Sequence, residues 1–205
     1  MKLSLDAPVV RAVTRFGDLV LLSILWFVGS IPVFTLGVSC SAVYAAIHRT
    51  FGRDGDGIAV VEYLRAYRSN FRQSTLSFLP LGALELLLLG ECFVTDFLRE
   101  QGAAMGALRP LFLVLAYLVG LWIVYTAAYA ARFSDPAQKT VRQSGILALA
   151  NPGKSIVLLV MMGICLFAIQ MFPPLILILP GAYLWLAHKL LERIFADHLY
   201  DTPED

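Results

Sequence analysis

The sequence predicts an all-α protein, a polytopic transmembrane helical bundle of about six spans with cytoplasmic amphipathic connecting helices. Two observations predict this class. The 205-residue chain is 59% hydrophobic and only 15% charged, whereas soluble domains carry about 25% charged residues. Its apolar residues also fall into several long runs with few charges, which a soluble core of this size would not need. We therefore interpret residues 1–205 as a single integral membrane domain whose first partner is the lipid bilayer.

Six apolar runs define the expected spans, and each is bounded by charged residues or by turn residues. Their approximate limits are 19–33, 35–51, 74–94, 110–131, 155–172 and 174–191. The segment before the first run is polar and mixed, and no small-residue cleavage site follows a short apolar core. The first span is therefore expected to stay in place as an anchor.

The boundary between the first two spans depends on Pro32. Proline removes a backbone donor and disfavours helix at Ile31, and Thr35 can cap a new helix. A helix from Thr35 to Phe51 would be about 25 Å long, slightly short for a hydrocarbon core of about 30 Å. The pair is therefore either two full spans with a tight turn or a re-entrant hairpin. Both alternatives return the chain to the side on which it started.

The distribution of basic residues predicts the orientation. Fourteen of the sixteen Lys and Arg residues lie on one side of the six-span arrangement, and Arg99 and Arg109 lie on the other. Positive residues near span ends favour the cytoplasm. The sequence thus predicts a multi-pass protein of the bacterial cytoplasmic membrane with both termini cytoplasmic. The net charge of +1 gives no reason to expect a nucleic-acid partner.

A cytoplasmic helix is predicted at about residues 58–72, after a flexible Gly- and Asp-rich turn. Its apolar residues recur at helical spacing: Val60, Leu64, Tyr67 and Phe71. Arg65, Arg68 and Arg72 lie together on one flank, as in helices that bind the membrane surface. We interpret this helix either as a simple docking element between spans or as a contact surface for the membrane or a protein partner.

Glu85 is the candidate binding residue, because it lies in the middle of the third apolar run. A carboxylate at that depth costs on the order of 3 kcal/mol and is expected to face the bundle or water. It would either contact an ion, a proton or a substrate, or form a structural hydrogen bond to another span, for which Tyr125 and Gln170 are candidate partners.

Other chemistry is not indicated. The three cysteines are far apart, and His48, His188 and His198 lack any H-E-x-x-H or similar ligand spacing. We predict no catalytic residues, no cofactor and no metal ligands. A shift of 81 residues does align the two halves weakly. The aligned pairs are Tyr44 with Tyr125, Ala46 with Ala127, Asp54 with Asp135, Asn70 with Asn151, Ser74 with Ser155 and Gly82 with Gly163. Parallel repeats of this kind occur in transporters, although chance is a fair alternative.

A Trp-bearing first span, then Pro32-Val33-Phe34-Thr35-Leu36-Gly37 and a small-residue helix, resembles the YesL-like family of bacterial membrane proteins. The stretch from Tyr67 to Ser74 is similar to that family's aromatic-x-x-Asn-Phe segment. The family has no known biochemical function, and its members often accompany carbohydrate-uptake systems. The resemblance implies a cytoplasmic-membrane location and a link to sugar import, with no catalytic residues to carry over.

Three functions are compatible with these features. The first is a non-enzymatic accessory or interaction subunit of a membrane complex, with other membrane subunits such as a carbohydrate transporter as partners. The second is a small transporter or channel that uses Glu85. A membrane enzyme ranks last, because no nucleophile–base set or metal cluster is expected at one membrane depth.

Overall fold

A computed structural model describes residues 8–52, 57–100 and 107–201 of the chain. The described residues form eight α-helices, and no strand occurs among them. The helices are α1 (Pro8–Gly29), α2 (Leu36–Phe51), α3 (Ala59–Ser69), α4 (Phe71–Glu100), α5 (Arg109–Arg132), α6 (Ala137–Ala150), α7 (Pro152–Met171) and α8 (Leu179–Asp201). The all-α prediction is confirmed.

Three of the described helices are long and apolar enough to cross a membrane. They are Phe71–Leu98 in α4, Arg109–Arg132 and Pro152–Met171. This is consistent with a membrane protein. The count of six is not confirmed. Helix α2 has only 16 residues, about 24 Å of helix, and charged residues lie in the first half of α1 and from the middle of α8 onwards.

The turn after α1 forms where Pro32 was expected to break the helix. The chain leaves α1 at Gly29, Pro32 is extended, and Val33–Thr35 make a short 3₁₀ turn before α2. Thr35 precedes α2, but its hydroxyl does not cap that helix. It lies instead 2.6 Å from the carbonyl oxygens of both Gly29 and Pro32. The single Thr35 hydroxyl proton is thus shared between the last carbonyl of α1 and a carbonyl of the turn, and does not cap the amides at the start of α2.

Helix α2 forms the centre of the bundle and packs against α1, α3, α4, α5 and α8. Its residues from Gly37 to Ile47 are all buried. Most of them are Gly, Ala, Ser or Cys, which let neighbouring backbones approach closely. At Gly37 the approach to Phe78 of α4 leaves no room for a Cβ atom. The small-residue composition of α2 therefore explains why so many helices pack around it.

The chain contains two similar units, α2–α3–α4 (the first unit) and α5–α6–α7 (the second unit). Each consists of a helix, a shorter helix packed against it, and a returning helix. Asn70 joins α3 to α4, and Asn151 joins α6 to α7. The amide of Ser74 donates to Asn70, and that of Ser155 donates to Asn151. Two of the six aligned pairs, Asn70 with Asn151 and Ser74 with Ser155, thus have matching structural places, whereas Asp54 lies outside the described residues.

Helix α8 is attached to α1 through Ser23. The Ser23 hydroxyl lies 2.9 Å from the carbonyl oxygen of Ile178 and accepts a hydrogen bond of 2.8 Å from the amide of Gly181. This contact satisfies an amide in the first turn of α8 that has no partner within its own helix. Gly181 is needed here because a side chain would collide with the backbone of Leu19. The contact fixes the start of α8, and α8 then passes the end of α2.

Candidate functional site

Five polar side chains from three helices meet where α2 and α5 end. They are Tyr44 and His48 on α2, Arg132 on α5, and His188 and Glu192 on α8, and we call them the polar cluster. On α2 and on α8 the two cluster residues are four positions apart. Residues at this spacing lie on the same face of a helix. Each helix therefore presents a pair of polar groups to the other.

Three ligand-type atoms lie at the centre of the polar cluster. His48 Nδ1 is 3.0 Å from His188 Nε2. Glu192 Oε1 is 3.6 Å from His48 Nδ1 and 3.8 Å from His188 Nε2. The triangle is nearly regular, and its three corners are all atoms that bind transition metals.

Two further groups hold Glu192 in place. The Tyr44 hydroxyl donates a hydrogen bond of 3.0 Å to Glu192 Oε1. Arg132 Nε lies 3.2 Å from the same oxygen, and Arg132 Nη1 lies 2.6 Å from His48 Nε2. Tyr44 itself has no exposed surface. The carboxylate is thus oriented by one neutral donor and one cation.

The arginine determines how the two histidines share protons. A guanidinium can only donate, so His48 Nε2 must be the unprotonated nitrogen of a neutral ring. The remaining proton of His48 is then on Nδ1, which donates to His188 Nε2. The hydrogen-bond geometry thus assigns one tautomer to each ring. Arg132, His48 and His188 form a directed chain from the end of α5 to the middle of α8.

Solvent reaches the polar cluster from one side. The exposed fraction of the side chain is 32% for His48, 23% for Glu192 and 12% for His188. A small ion can therefore reach the three central atoms, whereas Tyr44 supports them from the buried side. Chemically, the arrangement can serve either as a structural ion network or as a ligand set for a metal.

The structure brings His48, His188 and Glu192 together as a group that could hold a metal ion, which the sequence did not indicate. That the protein has no metal ligands stays a prediction. Motifs such as H-E-x-x-H place both histidines on one helix, but here one comes from α2 and the other from α8. A signal was present in the i, i+4 pairs His188–Glu192 and Tyr44–His48. These pairs could not be recognised as one cluster from the sequence, because the sequence does not show that α2 and α8 lie side by side.

Glu85 lies on α4, away from the polar cluster, and is half-buried. Its Oε2 has almost no exposed surface and no hydrogen-bond partner among the described residues. The two partners considered from the sequence do not bind it. Tyr125 is hydrogen-bonded to Ser155 at 2.9 Å, and Gln170 is exposed. Glu85 thus has a buried oxygen without a partner, and its role stays a prediction.

Helix α3 carries Arg65 and Arg68, whereas Arg72 follows Asn70 and lies in the first turn of α4. All three arginines are exposed. The face of α3 that packs against the bundle differs from the apolar stripe expected from the sequence. Its buried residues are Ala59, Glu62, Tyr63 and Ala66. Tyr63 reaches past α2 and donates to the carbonyl of Leu25 on α1 at 2.9 Å.

The buried carboxylate of Glu62 fixes α3 to the end of α2. Arg49 Nη1 lies 2.8 Å from its Oε2, and Arg65 Nη1 lies 2.5 Å from its Oε1. The hydrogen bond from Arg49 is the main reason that the pKa of Glu62 lies below its usual value, and the Arg65 charge adds to it. The second unit has an analogous acid, since hydrogen bonds from Lys139 and Tyr129 lower the pKa of Asp135.

An apolar groove opens between α4, α5, α6 and α7. Its volume is about 1170 Å³, and its lining includes Pro80, Leu118, Trp122, Val141 and Arg142. Leu149 of α6 lies in the lining of this groove and is almost fully exposed at 84%. The groove is continuous with the outer apolar surface, where only 11% of the most apolar window of α7 is buried. Its composition suits hydrocarbon chains or an apolar helix.

Residues 19–91 match the model of a family described as a protein of unknown function, DUF624. The matched region runs from α1 through most of α4 and contains the Pro32 turn, α3 and Glu85. It covers a little over a third of the chain and includes Tyr44 and His48 of the polar cluster. No curated protein and no solved structure gave a match to the chain.

Proposed function

We propose that this protein is a non-enzymatic integral membrane protein that acts as an accessory or interaction subunit of a membrane complex. The observation that carries the proposal is the two-sided character of α3. Its inner face is locked to α1 and α2 by Tyr63 and Glu62, so the helix is a rigid platform rather than a loose linker. Its outer face is left for contact with another molecule.

The outer face mixes apolar and basic groups. Val61 and Leu64 are 46% and 48% exposed, and Ile58, just before the helix, is 70% exposed. Arg68 lies beside them, and neither it nor Arg72 has an ion-pair partner among the described residues. Exposed apolar patches rimmed by charge mark interaction sites. The surface suits a membrane-protein partner that presents apolar and acidic residues.

In this proposal the protein has six spans in the bacterial cytoplasmic membrane, with both termini cytoplasmic. The basic residues at the ends of α2 and α5 favour that orientation. Cysteine labelling at Ser134 and Arg49 from either side of intact vesicles would test it. Labelling of both from the outside of right-side-out vesicles would contradict the orientation.

Site-specific photo-crosslinking tests the partner contact. A crosslinker at Leu64 is expected to capture one membrane protein in intact cells, and the double change Arg68→Glu and Arg72→Glu is expected to reduce that product at least fivefold. The same crosslinker at Leu149 on α6 and the change Arg142→Glu are the matched controls. Capture of lipid alone at Leu64, or a product indifferent to the arginines, would contradict the proposal.

The link to carbohydrate uptake and the narrower YesL-like assignment depend on the sequence resemblance alone. Deletion of the gene is expected to lower the initial rate of uptake of at least one labelled sugar, and the wild-type gene should restore it. Uptake that is unchanged for every sugar imported by the host would remove this part of the proposal.

A small transporter or channel is the second candidate, and the unpartnered Oε2 of Glu85 favours it. Intramembrane acids of this kind often mark ion or proton pathways. Glu85→Gln is then expected to abolish flux in liposomes that contain the purified protein, whereas Glu91→Gln on the same helix should leave flux unchanged. Equal flux in wild type and Glu85→Gln would exclude this residue from transport.

A further inference from the structure

We propose that His48, His188 and Glu192 form a binding site for a first-row divalent transition metal, with Zn²⁺ as the reference ion. The proposal goes beyond the accessory function and does not depend on it. It is based on the distances between the three central atoms of the polar cluster and on the groups around them.

The first argument is geometric. A tetrahedral Zn²⁺ with bonds of about 2.0–2.1 Å places its ligand atoms about 3.4 Å apart. The three edges between His48 Nδ1, His188 Nε2 and Glu192 Oε1 measure 3.0, 3.6 and 3.8 Å. They bracket the tetrahedral value, so shifts of a few tenths of an ångström allow all three atoms to coordinate one ion.

The second argument is the choice of ligands. Two imidazole nitrogens and one carboxylate are a common protein contribution to zinc sites that keep one position open. His48 and Glu192 are partly exposed, so water can occupy the fourth position. Tyr44 donates to the ligating oxygen of Glu192 from the buried side. Partners of this kind fix the orientation of a ligand and are part of working metal sites.

The third argument concerns Arg132, which holds Glu192 and His48 when no metal ion is bound. It supplies the positive charge beside Glu192 and donates to His48 Nε2. If His48 coordinates through Nδ1, its proton must move to Nε2, which then faces the donor Nη1 of Arg132. The arginine must therefore turn away, and its position at the solvent-exposed end of α5 permits this. Arg132 and the metal ion thus compete for the same two side chains.

The site would join α2 to α8 at the end of the bundle where α2 and α5 finish. These two helices already contact each other along the buried core. An ion held by both would oppose their separation and stabilise the folded state by an amount that rises with the logarithm of one plus its concentration divided by the dissociation constant. Metal supply would in this way control how firmly α8 is held against α2.

The experiment uses the full-length protein, purified in detergent without a histidine tag and treated with a chelator. Calorimetric titration with ZnCl₂ is expected to show one ion per chain. His188→Gln and Glu192→Gln should each weaken binding at least tenfold, whereas His198→Gln and Glu91→Gln are the matched controls and should bind as the wild type does. Absence of stoichiometric binding, or full binding by His188→Gln, would overturn the proposal.

Two further measurements keep the test decisive if a ligand variant fails to fold. Arg132→Gln retains all three ligands and removes the competing cation, so it is expected to bind Zn²⁺ at least tenfold more tightly than the wild type. Co²⁺ added to the wild type should produce the visible absorption of a tetrahedral complex, and Zn²⁺ should abolish it. Weaker or equal binding by Arg132→Gln, or a Co²⁺ spectrum typical of an octahedral aqua ion, would contradict the proposed site.

Discussion

Ser74 in the first unit and Ser155 in the second occupy the same place, four residues after the asparagine that precedes the returning helix, yet their surroundings differ. Ser74 bonds the Ser41 hydroxyl at 2.8 Å, in a contact between two small side chains. Ser155 accepts from the Tyr125 hydroxyl and donates to the carbonyl of Ala148 at 2.7 Å. The same helix arrangement thus has a contact between two small side chains in the first unit and a hydrogen bond from a tyrosine in the second.

The same contrast extends to the short helices and to the two aligned tyrosines. Helix α3 contacts α2 more extensively than α6 contacts α5, and the apolar groove opens beside α6. Tyr125 forms its hydrogen bond within its own unit, whereas Tyr44 donates outward to Glu192 of α8. Similar helix arrangements can therefore carry different chemistry when one position is paired within the unit and the other is left for an outside partner.

The largest effect is expected from the close helix contacts. In Gly37→Ala the new Cβ overlaps Phe78, and overpacking of this kind costs about 1–3 kcal/mol. In Gly120→Ala the nearest atom is Met162 Cε at 3.5 Å, an ordinary contact, so the change should be neutral or stabilise the helix by up to about 1 kcal/mol. Unfolding midpoints in detergent would measure both. Similar midpoints for the two variants would mean that the first unit is no more tightly packed than the second.

The next largest effect is the difference in the free energy of unfolding between Ser155→Ala and Ser74→Ala. Ser155→Ala leaves the fully buried Tyr125 hydroxyl without its acceptor, which costs about 1–3 kcal/mol. Ser74→Ala should cost less, about 0.5–1 kcal/mol, because Ser41 keeps its contact with the Val38 carbonyl. Chemical denaturation would compare the free energies of unfolding. Adding Tyr125→Phe to Ser155→Ala is expected to recover much of the loss, and no recovery would argue against the hydrogen bond between Tyr125 and Ser155.

The smallest effect concerns Glu62 and depends on pH. Because its folded pKa is lowered, the pairing with Arg49 stabilises the protein fully above the unfolded pKa and is lost as pH falls through the folded value. The arginines are half-exposed, so solvent screening limits the contribution to about 1 kcal/mol. Stability profiles of the wild type and Glu62→Gln should differ at roughly pH 6 and converge towards roughly pH 3.

Asp135→Asn offers the comparison in the second unit, since the pKa of Asp135 is lowered in the same direction. Its difference from the wild type should also disappear in acid. A difference between the wild type and Glu62→Gln that persists below the folded pKa would show that the glutamine disturbs packing rather than removing a charge.

The apolar runs alone predicted much of the secondary structure, because helices that face lipid or a core need long uninterrupted apolar stretches. The sequence also indicated the break at Pro32 and the weak repeat, whose asparagines and serines have matching places in the two units. It erred on the buried face of α3, because Ala59, Tyr63 and Ala66 were outweighed by the larger apolar residues Leu64 and Phe71. It also missed the role of the Thr35 hydroxyl.

The sequence by itself thus determined the all-α class, the apolar segments, the segregation of basic residues and the position of a carboxylate inside an apolar run. These properties are local, since they follow from the composition and periodicity of neighbouring residues. Only the tertiary structure decided that His48 lies 3.0 Å from His188, 140 residues further along the chain, with Arg132 and Glu192 beside them. Helical spacing shows which side chains share a face, but only packing shows which helix that face meets.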